Sequence, residues 1–270
     1  MKIGKATIPS TAICTSDEHT IVVRGEDLCK DLIGQISFTD YFHLLVTGRR
    51  PDAAATTVLN ATLVAIAEHG FVPSVQAARM TLAAAPDALQ GAVAAGLLGC
   101  GSVILGASET AGRLFTEIRE TAAAQGVDID AAAQVVLKHY AAEGKAIPGY
   151  GHPLHKERDP RVARLFEVAR GCGASMEYID IAEAVERQIP GVINKALKLN
   201  VSAAIPAVLL GVGFPLQALR GVPLLARAAG LIAHLNEEFQ QPAGFALSYQ
   251  ATRELRYEGE VPAGFGKSEH

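Results

Sequence analysis

Between Ile147 and Arg161, fifteen residues gather His152, His155, Lys156, Arg158 and Arg161 among Pro148, Gly149, Gly151, Pro153 and Pro160. Imidazole donates to a carbonyl or takes a proton from a hydroxyl near neutral pH, and guanidinium presents a planar fork that matches a carboxylate. The prolines and glycines break any helix here, so the polar groups stand on a loop. Asp159 before Pro160 reads as an N-cap followed by the first helical position, which sets the loop against a helix N-terminus, a place that favours anions. His152, between Gly151 and Pro153, is either an acid–base group or a structural hydrogen-bonding histidine. His155 could join it as an H-x-x-H metal pair, but no third ligand has zinc spacing, and no metal is expected.

Further along the chain, Arg227 stands in the otherwise apolar run 222–233. A buried unpaired cation is very costly, so either an acidic side chain or an anionic ligand must meet it. His234 follows seven residues later, close to two helical turns, and points the same way. His69 precedes Gly70 at the expected end of a helix, where the dipole would favour a cation. His43 lies on an apolar helical face and reads as packed, whereas Glu237 and Glu238 read as a solvated face.

The elements that must position these groups are helices. Residues 12–25 place two β-branched runs around Ser16-Asp17-Glu18 and predict a small hairpin. Ser37 caps a helix that stops at Gly48, Pro51 opens another that reaches Gly70, and further helices are expected at about 73–84, 87–100, 107–125, 129–143, 159–171, 176–189, 193–212 and 221–239. The Ala/Gly-rich stretches 88–101 and 203–213 suggest either deep core or the seam of a homodimer. Only 258–270 looks loose, giving one unit over 1–257 with a short tail.

With 49% hydrophobic and 19% charged residues, the 270-residue chain can bury a sizeable core. A net charge of −4 gives no broad basic face for nucleic acid. Cys14, Cys29, Cys100 and Cys172 lack C-x-x-C spacing, which suits a reducing compartment, and neither a signal peptide nor an uninterrupted membrane span is evident. A cytoplasmic protein is expected.

The pattern Gly149-Tyr150-Gly151-His152 followed by Asp159-Pro160-Arg161 resembles the signature of the citrate synthase superfamily, which includes citryl-CoA lyases and the lyase domain of ATP citrate lyase. Arg24–Leu28, Ser37–Gly48, Ala67–Gly70, Leu199–Val201 and Ala226–His234 are similar to other family segments, so the likeness covers roughly residues 12–257. It implies an all-α, citrate-synthase-like domain with a short N-terminal β-hairpin and a small helical lobe. It also implies a homodimer whose sites are completed across subunits. In this reading His152 and His69 work on the substrate hydroxyl, and Arg161, Arg227 and His234 bind its carboxylates. The loop Ile147, Gly149, Tyr150 and Gly151 offers N–H groups to the coenzyme A portion.

Three positions depart from the family pattern. Ile104 stands where citrate synthases carry the histidine that polarises the acetyl thioester. Ser202 replaces the aspartate of N-V-D, and Phe245 and Ser248 occupy the region that usually supplies an arginine to the neighbouring subunit. The resemblance therefore implies carbon–carbon cleavage of a citryl-CoA-like thioester into a 2-oxo acid such as oxaloacetate and acetyl-CoA. Condensation in the citrate synthase direction, or a non-catalytic homologue that binds CoA esters or dicarboxylates, are the alternatives.

Overall fold

A computed structural model describes residues 9–101, 105–151 and 158–265. The expected hairpin is present as β1 (Cys14–Ser16) and β2 (Ile21–Val23), paired antiparallel with Cys14 opposite Val23. Its turn is closed by Asp17, whose Oδ1 accepts the His19 and Thr20 N–H groups. A third strand, β3 (Glu26–Asp27), and a single π-helical turn at Leu28–Leu32 follow; the sequence reading had neither.

Everything downstream is helical, as expected. Ser37 Oγ accepts the Asp40 N–H to start α1 (Phe38–Thr47), which ends on Gly48 at φ 76°. The next helix, α2 (Ala53–Ala67), is capped by Asp52 and not opened by Pro51. It stops at Ala67, so His69 lies beyond its last turn and the expected helix-dipole argument for that residue falls. Then come α3 (Pro73–Ala84), α4 (Leu89–Leu98), α5 (Ala107–Gln125), α6 (Ile129–Ala142), α7 (Pro160–Gly171) and α8 (Glu177–Ile193). The last three helices are α9 (Val201–Gly211), α10 (Gly221–Gln240) and α11 (Gly244–Glu254).

One expected helix is shorter than its sequence suggests, and one helix is unexpected. Residues 194–200 are not helical, because Asn194 turns left-handed at φ 52° and Asn200 begins a new helix. Residues 244–254, left unassigned, form α11.

The chain divides into two compact units, one holding the chain up to Glu68 with Cys100–Arg227, the other His69–Gly99 with the chain from Ala228 on. The first is built on a large core from α2 and α5–α9, including Phe115, Ile118, Leu137, Phe166, Ile179 and Val208. Ala203–Leu209 is buried in it, so this stretch exposes no small-residue face and that part of the surface argument for a homodimer falls.

The second unit packs α3, α4, α11 and residues 228–240 of α10 around Val75, Leu82, Leu231 and Leu235. Gly96 lets α4 approach closely here: a Cβ at that position would lie 2.7 Å from Leu231 Cδ1 and 2.9 Å from the Ser74 carbonyl oxygen.

Glu238 is not on a solvated face. It is 5% exposed and meets Arg79, 2% exposed, with Nε 2.5 Å from Oε2. Arg79 also donates to Glu237 at 2.6 Å and to the Gln241 carbonyl at 2.7 Å. The second face of the Glu238 carboxylate accepts the Ala243 and Gly244 N–H groups that begin α11. Burial pushes this carboxyl up, but the bonds from Gly244, Arg79 and Ala243 outweigh it and hold its pKa below the ordinary glutamate range.

A carboxylate with a depressed folded-state pKa stabilises fully above its unfolded pKa and loses that contribution as pH falls through the folded value. Glu238→Gln is therefore expected to lower the unfolding free energy at pH 7 by about 3 kcal/mol. In denaturant titrations run at successive pH values, the gap from wild type should begin to narrow as pH falls below about 4.3, the ordinary glutamate value, and close only below the lower folded-state pKa.

Candidate active site

The first unit supplies the loop and the start of α9. Residues 149–151 run along 198–200: Gly151 N–H donates to the Lys198 carbonyl at 2.7 Å, Asn200 N–H donates to Gly149 O at 3.0 Å, and Tyr150 bridges Leu199. The Gly151 N–H is thus already taken, which corrects the expectation that it is offered to coenzyme A.

Asn200 works at both ends of this contact. Its Nδ2 donates to the Gly151 carbonyl at 2.6 Å, and its Oδ1 caps α9 by accepting the Ser202 N–H at 2.9 Å. Tyr150 is buried and its hydroxyl donates to the Ala182 carbonyl. Burial, the largest influence, raises that phenol well above its usual range, so it is a fixed anchor and not an acid–base group.

Gly149 is required twice over. It sits at φ +85°, and a Cβ would lie 2.5 Å from Ala203 Cβ and 2.9 Å from its backbone. The loop therefore rests on the first turn of α9, which carries Ser202. Pro206 has no N–H to give to the Ser202 carbonyl four residues back.

Ile147 is buried beside this loop. His152 and His155 lie outside the described residues, as does Ile104.

Asp159 caps α7 and Pro160 is its first residue, as expected. Burial raises the Asp159 carboxyl, but bonds from the Arg161 side chain and N–H, and from the Val201 N–H, bring it below the usual aspartate value. Arg161 Nε and Nη2 are bonded to the two Asp159 oxygens at 3.0 and 2.7 Å. The expected carboxylate clamp is therefore partly committed through Nε and Nη2.

Arg227, on α10, is 4% exposed. Its Nε and Nη1 are buried and find no hydrogen-bond partner among the described residues. Of the two ways to satisfy this cation that the sequence left open, an acidic side chain is not at these two atoms among the described residues.

The second unit holds His69, on the exposed segment between α2 and α3, and His234, half-buried on α10. His43, read as packed, is 2% exposed, with Nδ1 3.1 Å from the Arg49 carbonyl oxygen. Sequence reasoning missed Arg79, although Val75 and Leu82, four residues before and three after it, put this cation on the buried face of α3.

Residues 35–244 match the model of the citrate synthase C-terminal domain. The chain belongs to the citrate synthase family. Across 210 residues it is 27% identical to citrate synthase of Synechocystis sp., covering 76% of this chain and 50% of that protein. It thus spans about half the length of the citrate synthases it matches in sequence.

Among solved structures, citryl-CoA lyase from Hydrogenobacter thermophilus superposes with a TM-score of 0.83 at 33% identity, over 95% of this chain and 96% of that one. ATP citrate lyase of Methanosaeta concilii, solved as a D541A mutant with (3S)-citryl-CoA, shares the fold at TM-score 0.74 and 22% identity, over 97% of this chain and 43% of that one.

Two outcomes are expected. Gly149→Ala should cost about 2–5 kcal/mol in chemical denaturation, the sum of left-handed strain and overpacking against Ala203. Arg227→Met should leave the unliganded protein as stable as wild type or more so, because it removes a buried charge that the described structure leaves unpaired and fills its space with apolar atoms.

Proposed function

We propose that the protein is a CoA-thioester carbon–carbon lyase that splits citryl-CoA, or a related 3-hydroxyacyl-CoA, into a 2-oxo acid and acetyl-CoA. The observation that carries this reading is the buried guanidinium of Arg227, without a partner at Nε and Nη1 among the described residues. A substrate carboxylate supplies both charge and two acceptor oxygens to such a fork. Likeness to a citryl-CoA lyase over nearly the full length of both chains supports cleavage as the direction.

In the proposed step, the imidazole of His152 or His69 takes the proton of the tertiary C3 hydroxyl. The C3 oxygen then forms a ketone, the C2–C3 bond breaks, and its electron pair moves into the thioester as an enolate. Protonation of that enolate at carbon gives acetyl-CoA, while C3 and its carboxylates leave as oxaloacetate. Arg227, with the remaining donor of Arg161 and with His234, holds the carboxylates. No oxidant or metal is needed to balance the step.

Ser202 is where this chain changes the chemistry. A serine hydroxyl is far too weak an acid to exchange protons with a thioester α-carbon at neutral pH, so the enolate is quenched by another group or slowly.

A panel of 3-hydroxyacyl-CoA thioesters, incubated with the protein and read by mass, is expected to yield acetyl-CoA and oxaloacetate from citryl-CoA. His152→Ala should reduce that turnover by about 10²–10⁴-fold, and a loss below about tenfold would remove acid–base work from this residue. Ser202→Asp is expected to speed hydrogen–deuterium exchange at the methyl of bound acetyl-CoA. If the wild type neither cleaves nor exchanges and Ser202→Asp is equally inert, the chain is a binding homologue and the lyase reading is lost.

A further inference from the structure

The second unit contains an aromatic contact that the reaction scheme does not use. The Phe71 ring lies 5.5 Å from the His234 imidazole, centroid to centroid, with the planes at 83°. On the same ring stands the Arg79 guanidinium, its Cζ 4.9 Å from the centroid.

Arg79 cannot shift without breaking its bonds to Glu238, Glu237 and the Gln241 carbonyl. The face it offers to Phe71 is therefore fixed by a buried ion pair. The Phe71 backbone is held as well: Gln76 Nε2 donates to its carbonyl at 2.7 Å, and a tight turn from the Val72 N–H to the Gly70 carbonyl, 2.8 Å, closes around it. Gly70, at φ +72°, is the first residue of that turn, and Phe71 is its centre.

We propose that Phe71 is the positioning residue for His234, and that Arg79 acts through it. Its ring sets the imidazole plane of His234, and its anchored backbone fixes where the ring starts. The physical warrant is directional. An aromatic ring at right angles to an imidazole restricts the plane of that imidazole, and a guanidinium stacked over the ring stops the ring from turning away.

Phe71 is 44% exposed, so burial alone does not hold its ring in place. This inference rests on the reading of His234 as a site residue. It assigns a function to the Arg79 network beyond starting α11.

The test replaces Phe71 with Leu, which keeps an apolar side chain and the backbone but removes the ring, and with Tyr, which keeps the ring. Carbon–proton correlation spectra of histidine-labelled protein, with His234 assigned by its loss in His234→Gln, report the imidazole without any turnover. Phe71→Leu is expected to move the His234 signal, and to lower kcat on citryl-CoA on the order of 10²-fold, the cost of a small misplacement at a reacting centre. Phe71→Tyr should restore both.

An unmoved His234 signal in Phe71→Leu overturns the proposal whatever the kinetics show. A moved signal with unchanged kcat in an active protein overturns its role in the reaction. If the wild type turns over no CoA ester while the signal still moves and Tyr restores it, the positioning stands and the lyase reading falls alone.

Discussion

A guanidinium taken out of water must find negative charge or acceptor oxygens, and this chain answers that constraint in two ways. Arg79 finds two carboxylates and a carbonyl within its own unit, and its three bonds tie α3 to the end of α10 and to the start of α11. Arg227 is nearly as buried, yet its Nε and Nη1 have no partner among the described residues. The desolvation cost per ion is several kcal/mol, so the first arrangement belongs to stability, and the second is the reason we propose Arg227 as the receptor of a carboxylate.

The loop before His152 shows a similar economy of parts. Asn200 uses one amide to cap α9 and to hold the Gly151 carbonyl, and Gly149 gives up its side chain so that the loop can lie against Ala203. The loop and the helix turn that carries Ser202 are therefore set by the same few atoms. A change of side chain at 202 leaves this contact in place, since the bond to Asn200 at this position runs through the Ser202 backbone N–H.

Much of this was legible in the sequence, for reasons that can be named. Helix limits follow from the sequence where a cap and a stop both stand in the chain, as at Ser37 with Gly48, and where a cap precedes a proline at the first helical position, as at Asp159 with Pro160. They were misread where tertiary contacts decide. Residues 194–200 look helical by composition but are drawn into pairing with 149–151. A lone cation on an apolar helix needs an anion, a constraint legible at Arg227 and equally at Arg79, which lies between Val75 and Leu82 on the buried face of α3. Glu238 was misread because its partner is 159 residues away, and adjacency to Glu237 on a charged stretch looked like solvent exposure. Phe71 could not be found from sequence at all, since its role comes from two rings and a guanidinium meeting in space.

The central claim is that Arg227 receives a carboxylate of the substrate. Calorimetric titration of oxaloacetate into the wild-type protein and into Arg227→Met tests it without requiring turnover. The account predicts saturable binding to wild type, weakened by at least about tenfold in the variant, as expected when a charge-assisted bidentate contact worth about 1.5–3 kcal/mol is lost. Equal affinity in the two proteins would contradict it.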